Sequence, residues 1–399
     1  MLQIARMLTF ILYGSRHRGS PAHRSSPMVA VALALVAWVC GPALAVAQTA
    51  APIEDELIVQ TPMSAFIVEA MLKEFTLHAK ERWNVTLRAR AQRAGTPVSY
   101  ERIVGWKGQP EADIFWGGEP ALFNSLAAEK LLAKLELVPA VWEAIPASIG
   151  TPRPVPLKDP ARFWVGTALE VYGIAYSPRL LRRLGVPDPR EWDDVLNPKL
   201  KGAIVQSTPT RSSSSHATYQ VILQSKGESD GWNWLKQLAA LTGSFVGSSR
   251  DVPAAVARGE FAVGFGVPSY FVFEEKLAGF DIRFVAPKNA FVTPEPFGIL
   301  AGARHPKAAR EFLTFLLSEY GQRLFMERAL FPVMPRYKVH GPPGSTVEMA
   351  VQVMGGLRSF FEPPVSNIYD DELARSRYRE VNEQFRRDIE TPWESLKKR

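Results

Sequence analysis

The segment WDDVLNPKLKGAIVQSTPTRSSSSHATYQVILQSKGESDGWNWLKQL, residues 192–238, is the stretch that decides the fold. Its pattern predicts an acidic helix start, a stop at Pro198, a short apolar strand, a hydroxyl-rich turn and a long helix. Ser212 to Ser215 fall where the strand gives way to that helix. Because a helix start offers unpaired N–H groups and a partial positive charge, small anions bind there. We therefore predict that this segment forms half of an anion-binding cleft.

Strand and helix patterns alternate on both sides of this segment. Buried strands are predicted at residues 56–60, 84–91, 112–116, 163–176 and 292–300. Residues 307–327 and 371–389 are each predicted as one helix, the second with an apolar stripe typical of core packing. The alternation predicts an α/β fold with an open, mostly parallel sheet, and the length favours two lobes.

The first 47 residues have the composition of an export signal. Residues 1–27 hold four arginines and no acid, and residues 28–47 are almost wholly apolar and end in ALAVA, which Gln48 follows. This pattern predicts a cleaved signal peptide, with an uncleaved membrane anchor as the alternative. Cys40, the single cysteine, lies in the apolar run, where Trp38 makes a poor lipoprotein site. Cleavage after Ala47 would leave a chain without thiol or disulfide chemistry.

The charge balance argues against nucleic acid as a partner. The chain of 399 residues has a net charge of +7. Removing residues 1–47 takes away four of the 47 basic residues and none of the 40 acidic ones, which leaves +3. Such a modest charge does not indicate a nucleic-acid surface.

Three segments resemble the bacterial extracellular solute-binding proteins of ABC importers, in the branch that binds ferric iron, sugar phosphates, phosphoglycerate and phosphonates. They are EWDDVLNPKLKGAI (191–204), SSRDVPAAVARGEFAVGFGVPSY (248–270) and RHPKAAREFLTFLLSEYGQRLF (304–325). The resemblance implies the type II periplasmic-binding-protein fold, with two α/β lobes joined by crossing hinge strands. It implies that a ligand between the lobes drives closure. We assign residues 48–164 and 291–399, with the C-terminal helices, to the first lobe, and residues 165–290 to the second.

Candidate ligand contacts lie in loops at the predicted strand ends, because open α/β sheets bind ligands outside the carboxyl ends of their strands. Glu295 is added because it lies on the predicted strand that returns to the first lobe. Each has an ordinary structural alternative, such as an N-cap or a tight turn. Arg211 is predicted to pair with a phosphate or carboxylate. The full set is Thr61, Ser64, Gly117, Gly118, Thr210, Arg211, Ser212, Ser213, Ser214, Ser215, His216, Tyr270 and Glu295.

Residues 270 and 271 bear on the choice between iron and an organic anion. Ferric-binding members of the family carry two adjacent tyrosines here, whereas this chain has Tyr270 followed by Phe271. Losing one hard anionic oxygen weakens a ferric site. Glu295 disfavours a simple anion unless it meets a hydroxyl or amine. The residues thus favour a two-ended solute, such as an aminoalkylphosphonate or a phosphorylated sugar.

The predicted function is a periplasmic substrate-binding component of an ABC importer, without cofactor or metal. We expect a monomer that captures a small anionic solute and delivers it to an inner-membrane ABC permease. Two alternatives remain open: a ferric-binding protein and a ligand sensor for a membrane histidine kinase. An enzyme is disfavoured, since the chain has no G-x-S-x-G elbow. Its histidines after the leader, including His216 and His340, show no metal-ligand spacing.

Overall fold

The computed structural model describes residues 52–337 and 366–397. The predicted signal peptide, Cys40 and His340 lie outside these residues. The helices are α1 (Ala65–Trp83), α2 (Thr96–Gly105), α3 (Pro120–Ala128), α4 (Pro139–Ala144), α5 (Pro178–Leu184), α6 (Ser213–Lys226), α7 (Glu228–Leu241), α8 (Asp251–Ala257), α9 (Ser269–Leu277), α10 (Pro306–Leu316), α11 (Glu319–Met326), α12 (Asp371–Ser376), α13 (Tyr378–Phe385) and α14 (Trp393–Leu396). Across the described ranges, we find no helix long and apolar enough to cross a bilayer.

The strands alternate with these helices. They are β1 (Glu56–Thr61), β2 (Arg88–Arg93), β3 (Ile114–Trp116), β4 (Ser148–Ile149), β5 (Thr151–Pro152), β6 (Val155–Pro156), β7 (Val165–Tyr176), β8 (Ile204–Ser207), β9 (Thr242–Val246), β10 (Val263–Pro268), β11 (Arg283–Val285), β12 (Val292–Ile299), β13 (Phe331–Pro332) and β14 (Ser366–Asn367). The main sheet has the order β2-β1-β3-β12-β7-β10-β8-β9, and β11 and β13 also pair with β7.

Two groups of parallel strands lie at the two ends of this sheet. In one group β1 pairs in parallel with β2 and β3. In the other β8 pairs in parallel with β9 and β10. We call the first group with helices α1 to α3 the first lobe, and the second group with helices α6 to α9 the second lobe. Each parallel pair requires a crossover connection, and the helices between the strands provide it.

Strand β7 connects the two groups. All twelve of its residues are buried. Its first part pairs with β12, and Tyr172 to Tyr176 pair with β10. Strand β12 runs back antiparallel to β7 and also pairs with β3. The long apolar run in the sequence is therefore a crossing strand buried on both faces. This architecture confirms the predicted two-lobed α/β fold. The sheet is mixed rather than mostly parallel as predicted, because the crossing strands β7 and β12 pair antiparallel with their neighbours.

Two predicted long helices are shorter than expected. The predicted helix 307–327 is interrupted at Ser318, whose backbone is extended. The Ser318 side chain caps α11 by accepting a hydrogen bond from Gly321 N at 3.1 Å. The predicted helix 371–389 is interrupted at Arg377, whose φ and ψ are −109° and 15°. It then ends in a π-helical turn, Arg386–Glu390. The apolar periodicity continues through both breaks because the segments on either side of each break pack against the core.

Helix α13 and the π-helical turn after it, which we call the C-terminal helix, pack against the second lobe. Val381, Phe385 and Ile389 are buried in one apolar cluster with Trp232 and Phe265. Phe385 meets Tyr219 of α6 edge to face, with the ring centroids 5.4 Å apart. The apolar stripe of the tail is therefore core packing, as its spacing predicted.

Candidate functional site

A cavity of about 220 Å³ is lined by residues from both lobes and from the crossing strands. Its lining residues are Pro62, Met63, Ser64, Arg93, Ala94, Gly95, Thr96, Gly118, Glu170, Tyr172, Arg211, Ser212, Ser213, Ser214, Ser248, Ser249, Arg250, Tyr270, Phe271 and Glu295. Many of them follow the carboxyl ends of parallel strands, where open α/β sheets bind their ligands.

The first lobe brings two helix starts to this cavity. Ser64 is the N-cap of α1 and accepts a hydrogen bond from Phe66 N at 3.2 Å. Gly95 and Thr96 begin α2, a helix with no side-chain cap. Gly118 lies beside them with a φ of +103°, and a Cβ there would lie 2.6 Å from the Thr96 methyl. Glycine is therefore needed at residue 118 for both conformation and space.

The second lobe contributes the start of α6 and a cluster of hydroxyls. Ser212 is the N-cap of α6 and accepts from Ser215 N at 3.2 Å. Ser213 and Ser214 follow in the first turn, and Ser214 lies 3.4 Å from Ser249, Oγ to Oγ. Short hydroxyl side chains add hydrogen-bond donors to the free N–H groups of the helix start. This wall is suited to an anion.

Three arginines lie around the cavity. Within residues 52–337 and 366–397, the side chains of Arg93 and Arg211 form no ion pair or hydrogen bond. Arg250 pairs with Glu274 at 2.9 Å. Guanidinium groups bind phosphate and carboxylate in a bidentate manner. Two of the three arginines are therefore free to pair with a ligand.

The crossing strands place two carboxyl groups in the cavity. Glu170 of β7 and Glu295 of β12 are only 3% and 2% exposed. Strand pairing shifts between Pro294 and Pro296, and this bulge redirects Glu295. Gly118 N lies 3.4 Å from Glu295 Oε2. Tyr172 donates a short hydrogen bond to Glu170 Oε1. Since Glu170 Oε2 is buried without a partner among the described residues, it can accept a ligand donor.

Burial favours the protonated form of both acids. Burial raises the pKa of Glu295 to about 7. Burial and then the Glu295 carboxyl raise the pKa of Glu170 well above its ordinary value. Burial, followed by the two carboxyls, also raises the pKa values of Tyr172 and Tyr270. At neutral pH this end of the cavity is therefore well suited to hydroxyl or ammonium groups.

Direct contacts join the lobes across the cavity. Ser64 Oγ of the first lobe donates to Glu274 Oε2 of the second at 2.6 Å. Thr96 Oγ1 and Ser213 Oγ lie 3.2 Å apart. These contacts bridge the gap between the lobes. The two walls therefore face each other across one narrow cavity.

Eight of the thirteen sequence-predicted residues line the cavity: Ser64, Gly118, Arg211, Ser212, Ser213, Ser214, Tyr270 and Glu295. The other five do not. Thr61 is buried and accepts from Met63 N, and Gly117 N donates to Pro296 O. Thr210 Oγ1 lies 3.0 Å from Thr208 Oγ1. Ser215 is hydrogen-bonded to Ser207, and His216 Nδ1 lies 3.0 Å from Asn382 Oδ1. Their sequence neighbours reach the cavity, but these five residues make polar contacts within the protein instead.

Sequence reasoning missed several lining residues. Arg93 ends β2, which the predicted strand stopped two residues too early. Ser248, Ser249 and Arg250 follow the end of β9, so the strand-end rule was a usable signal. Glu170 and Tyr172 lie within a long buried strand, and no local signal marks them. Among the described residues no group of three or more His, Cys, Asp or Glu is arranged to hold a metal ion.

Comparisons with known proteins agree with this geometry. Residues 109–348, more than half of the chain, match the family described as bacterial extracellular solute-binding protein. The phosphoglycerate transport regulatory protein PgtC of Salmonella typhimurium is 26% identical over 244 residues, 60% of this chain. The match spans 58% of that relative's length, somewhat more than half of it.

Two solved structures share the fold. The periplasmic binding protein AfuA from Actinobacillus pleuropneumoniae, with fructose-6-phosphate bound, superposes with a TM-score of 0.68 at 20% identity. It covers 84% of this chain and 99% of its own. Iron-bound HitA from Pseudomonas aeruginosa superposes with a TM-score of 0.63 at 20% identity, covering 82% of this chain and 99% of its own. These superpositions confirm the predicted type II periplasmic-binding-protein fold.

Proposed function

The chain belongs to the bacterial extracellular solute-binding protein family, and we propose that it is the substrate-binding component of an ABC importer. Membership of this family implies a location outside the inner membrane. We propose that residues 1–47 are the cleaved export signal and that the mature protein is a monomer. The solute we propose carries a phosphate or phosphonate group, which the interlobe cavity holds.

The observation that supports this proposal most strongly is the pair of arginines without side-chain partners. Arg93 of the first lobe and Arg211 of the second both line the cavity and are unpaired within the described residues. Starts of α2 and α6 lie beside them. A phosphoryl group would pair with the guanidinium groups and accept from hydroxyls and N–H groups. The positive groups come from both lobes, so such a ligand would favour the closed arrangement.

The opposite chemistry of the carboxyl end supports a two-ended solute. Glu170 and Glu295 offer acceptors and, when protonated, donors. A sugar hydroxyl can both donate to and accept from these groups, and an ammonium group can donate to the ionised carboxylates, whereas a second phosphate would be repelled. AfuA binds fructose-6-phosphate, which has an anionic end and a hydroxyl-rich end. We propose that the solute of this chain likewise has one anionic end and one end rich in hydroxyl or amine groups.

Closure of the two lobes is the proposed mechanism of capture and delivery. Ligand contacts on both sides lower the free energy of the closed state relative to the open one. The closed protein would then dock on an inner-membrane permease. Among the described residues, we propose a first lobe of residues 52–164 with 291–337 and a second lobe of residues 165–290. The packing of Phe385 on Tyr219 supports adding the C-terminal helix to the second lobe rather than the first.

A thermal-shift screen followed by calorimetry tests the proposal. The compounds are phosphate esters, phosphonates, dicarboxylates, ferric citrate and neutral sugars. A ligand that binds the native state raises the melting temperature by mass action. We expect saturable shifts for phosphorylated or phosphonate compounds. Shifts with neutral sugars or dicarboxylates, and none with phosphoryl compounds, would contradict the assignment.

A ferric site is less consistent with the cavity. Phe271 stands beside Tyr270, and the raised pKa values of Tyr172 and Tyr270 oppose formation of phenolates. Adding ferric citrate should therefore give no tyrosinate-to-iron absorption band in the visible range. Appearance of that band at one equivalent of iron would favour the ferric alternative.

A sensory role is the second candidate, because the PgtC relative is named a transport regulatory protein. The same cavity and closure would then signal to a membrane histidine kinase. Uptake of radiolabelled ligand by cells with and without the gene separates the two. In the deletion strain, the permease is also expressed from an independent promoter. If uptake stays lost under that condition, the result supports a role in transport. Uptake restored by that promoter supports sensing.

A further inference from the structure

A second cavity, of about 180 Å³, lies behind the wall of the first. It is lined by Glu119, Ala121, Leu122, Ser125, His216, Tyr369, Asp371, Ala374, Arg375 and Tyr378. Gly118 lines the first cavity and Glu119 the second; likewise Ser214 lines the first and His216 the second. The same two chain segments therefore contribute to both cavities. No predicted function of the first cavity uses the second.

Glu119 is the unusual group in this cavity. Its Oε1 atom is buried and has no hydrogen-bond partner within the described residues. A second acid, Asp371 of α12, lines the same cavity. An unpaired carboxyl in a buried site is costly unless a proton or a cation neutralises it. Arg375 also lines the cavity, but among the described residues its side chain forms no ion pair or hydrogen bond with Glu119 or Asp371.

Two tyrosine rings, Tyr369 and Tyr378, also line the cavity. Tyr369 packs on Phe291 with centroids 4.2 Å apart, and Phe291 stacks on Tyr172 of the first cavity at 5.2 Å. Tyr378 lies against His216 with centroids 4.0 Å apart. Ring faces attract ammonium groups, and the attraction grows when the site excludes water. Carboxyls with tyrosine rings are the chemistry that selects an organic cation.

We propose that this second cavity binds a small organic ammonium ion, with Glu119 and Asp371 as its carboxylate partners and Tyr369 and Tyr378 as its aromatic walls. A divalent metal fits less well, because Ca²⁺ requires six to eight oxygen ligands and two carboxyls fall short of that. Leu122 and Ala374 supply apolar surface for the carbon atoms of the ligand. The site is separate from the anion site and does not depend on it.

Proton release accompanies binding at this site. Burial and then the Asp371 charge raise the pKa of Glu119 to about 8, and burial raises the pKa of Asp371. The other ionisable groups facing the cavity are Arg375, His216, Tyr369 and Tyr378. Burial lowers the pKa of His216 to about 4, so its ring is neutral at physiological pH. Since the cation needs ionised carboxylates, its affinity rises as the pH rises from 6 to 9.

Calorimetry and thermal shift with ethylammonium and tetramethylammonium chloride, at constant ionic strength made up with NaCl, test the site. The full chain should bind one of these cations saturably, with a higher affinity at pH 9 than at pH 6. The Glu119→Gln variant keeps the side-chain size and should lose roughly tenfold or more in affinity. Glu372→Gln, an exposed neighbour of Asp371, removes the same charge outside the cavity and should leave affinity unchanged.

Further variants separate this site from the first. Asp371→Asn gives a second route to the same loss if Glu119→Gln does not fold. Arg211→Gln should retain ammonium binding even if the anion proposal fails. No response beyond that to NaCl, or equal affinity in wild type, Glu119→Gln and Asp371→Asn, would overturn the proposal.

Discussion

At the scale of single residues, the cavity combines free cations with crowded acids. Arg93 and Arg211 have no side-chain partners among the described residues, whereas Arg250 is already paired with Glu274. Glu170 and Glu295 are buried on adjacent crossing strands. The arginines favour an anion and the acids favour hydroxyls or amines, so the two ends of the cavity select different parts of one solute.

Changing Arg211 to Gln removes one cation from the anion-binding wall. A hydrogen bond to a charged group contributes about 1.5–3 kcal/mol, so affinity for the phosphoryl ligand should fall roughly 10- to 100-fold. Calorimetry on the purified variant measures this loss. Arg183→Gln on the exposed face of α5 is the matched control and should bind like wild type. Equal affinity in the two variants would remove Arg211 from the site.

The buried acids predict how stability depends on pH. The folded state raises the pKa of Glu295 from 4.5 to about 7. Between these values the native state holds a proton that the unfolded chain has lost, so the free energy of unfolding falls as pH rises. The full stabilising contribution is present below pH 4.5 and is lost by about pH 7.

Glu295→Gln removes this proton linkage. As the pH rises from 4.5 to 7.5, the free energy of unfolding of the variant should increase relative to that of wild type, by on the order of 2 kcal/mol. Urea unfolding at the two pH values measures the difference. The exposed Glu111→Gln is the control. If Glu295→Gln showed the same pH dependence as wild type, the acid would be titrating normally in the folded protein.

At the scale of elements, helix starts carry the proposed anion chemistry. The starts of α1, α2 and α6 all lie in the lining of one cavity. Ser212 satisfies one free N–H group of α6, and Ser213 and Ser214 remain beside the cavity. The serine run therefore has two roles: Ser212 caps the helix, and Ser213 and Ser214 line the cavity.

Changing Ser213 to Asp separates these two roles. An acid in the first turn stabilises a helix through its dipole by about 0.3–1 kcal/mol, so the melting temperature should hold or rise. The same charge should abolish phosphoryl binding through repulsion. Ser229→Asp places an identical charge in the first turn of α7, outside the cavity, and should leave binding intact. Retained affinity in Ser213→Asp would exclude this helix start from the site.

At the scale of the whole molecule, the closed arrangement depends on a few direct contacts between the lobes. Glu274 connects Ser64 of the first lobe to Arg250 of the second. Thr96 and Ser213 form a second contact. Such contacts bias an open–closed equilibrium, and a ligand shifts it further by binding both walls.

Glu274→Ala removes the bridge to Ser64. The radius of gyration without ligand should increase, and saturating phosphoryl ligand should return it to the wild-type liganded value. Small-angle X-ray scattering measures both states. Glu275→Ala changes the next residue of α9 and serves as the control. No difference between the two variants would mean that Glu274 does not hold the lobes together.

Local patterns predicted much of this molecule from the sequence alone. Apolar runs and helical periodicity located β1, β7, β8, β12 and α6 because these elements depend on short-range propensity and burial. The strand-end rule selected seven lining residues, and Glu295 was predicted from its place on the returning strand. Helix breaks at Ser318 and Arg377 were missed, because apolar periodicity continues across a kink whose segments pack on one core.

The sequence by itself determined the fold class and one wall of the candidate site, since the serine run, Arg211 and the strand before them are adjacent in the chain. Only the tertiary structure decided which distant groups join them. Arg93 and Glu170 reach the same cavity through strand order, and a β-bulge lies at Glu295, which the sequence had already predicted as a contact. The tertiary structure also places Glu119 and His216 in the lining of a second cavity. The direction of a side chain across a crossing strand depends on register and packing, which no local pattern encodes.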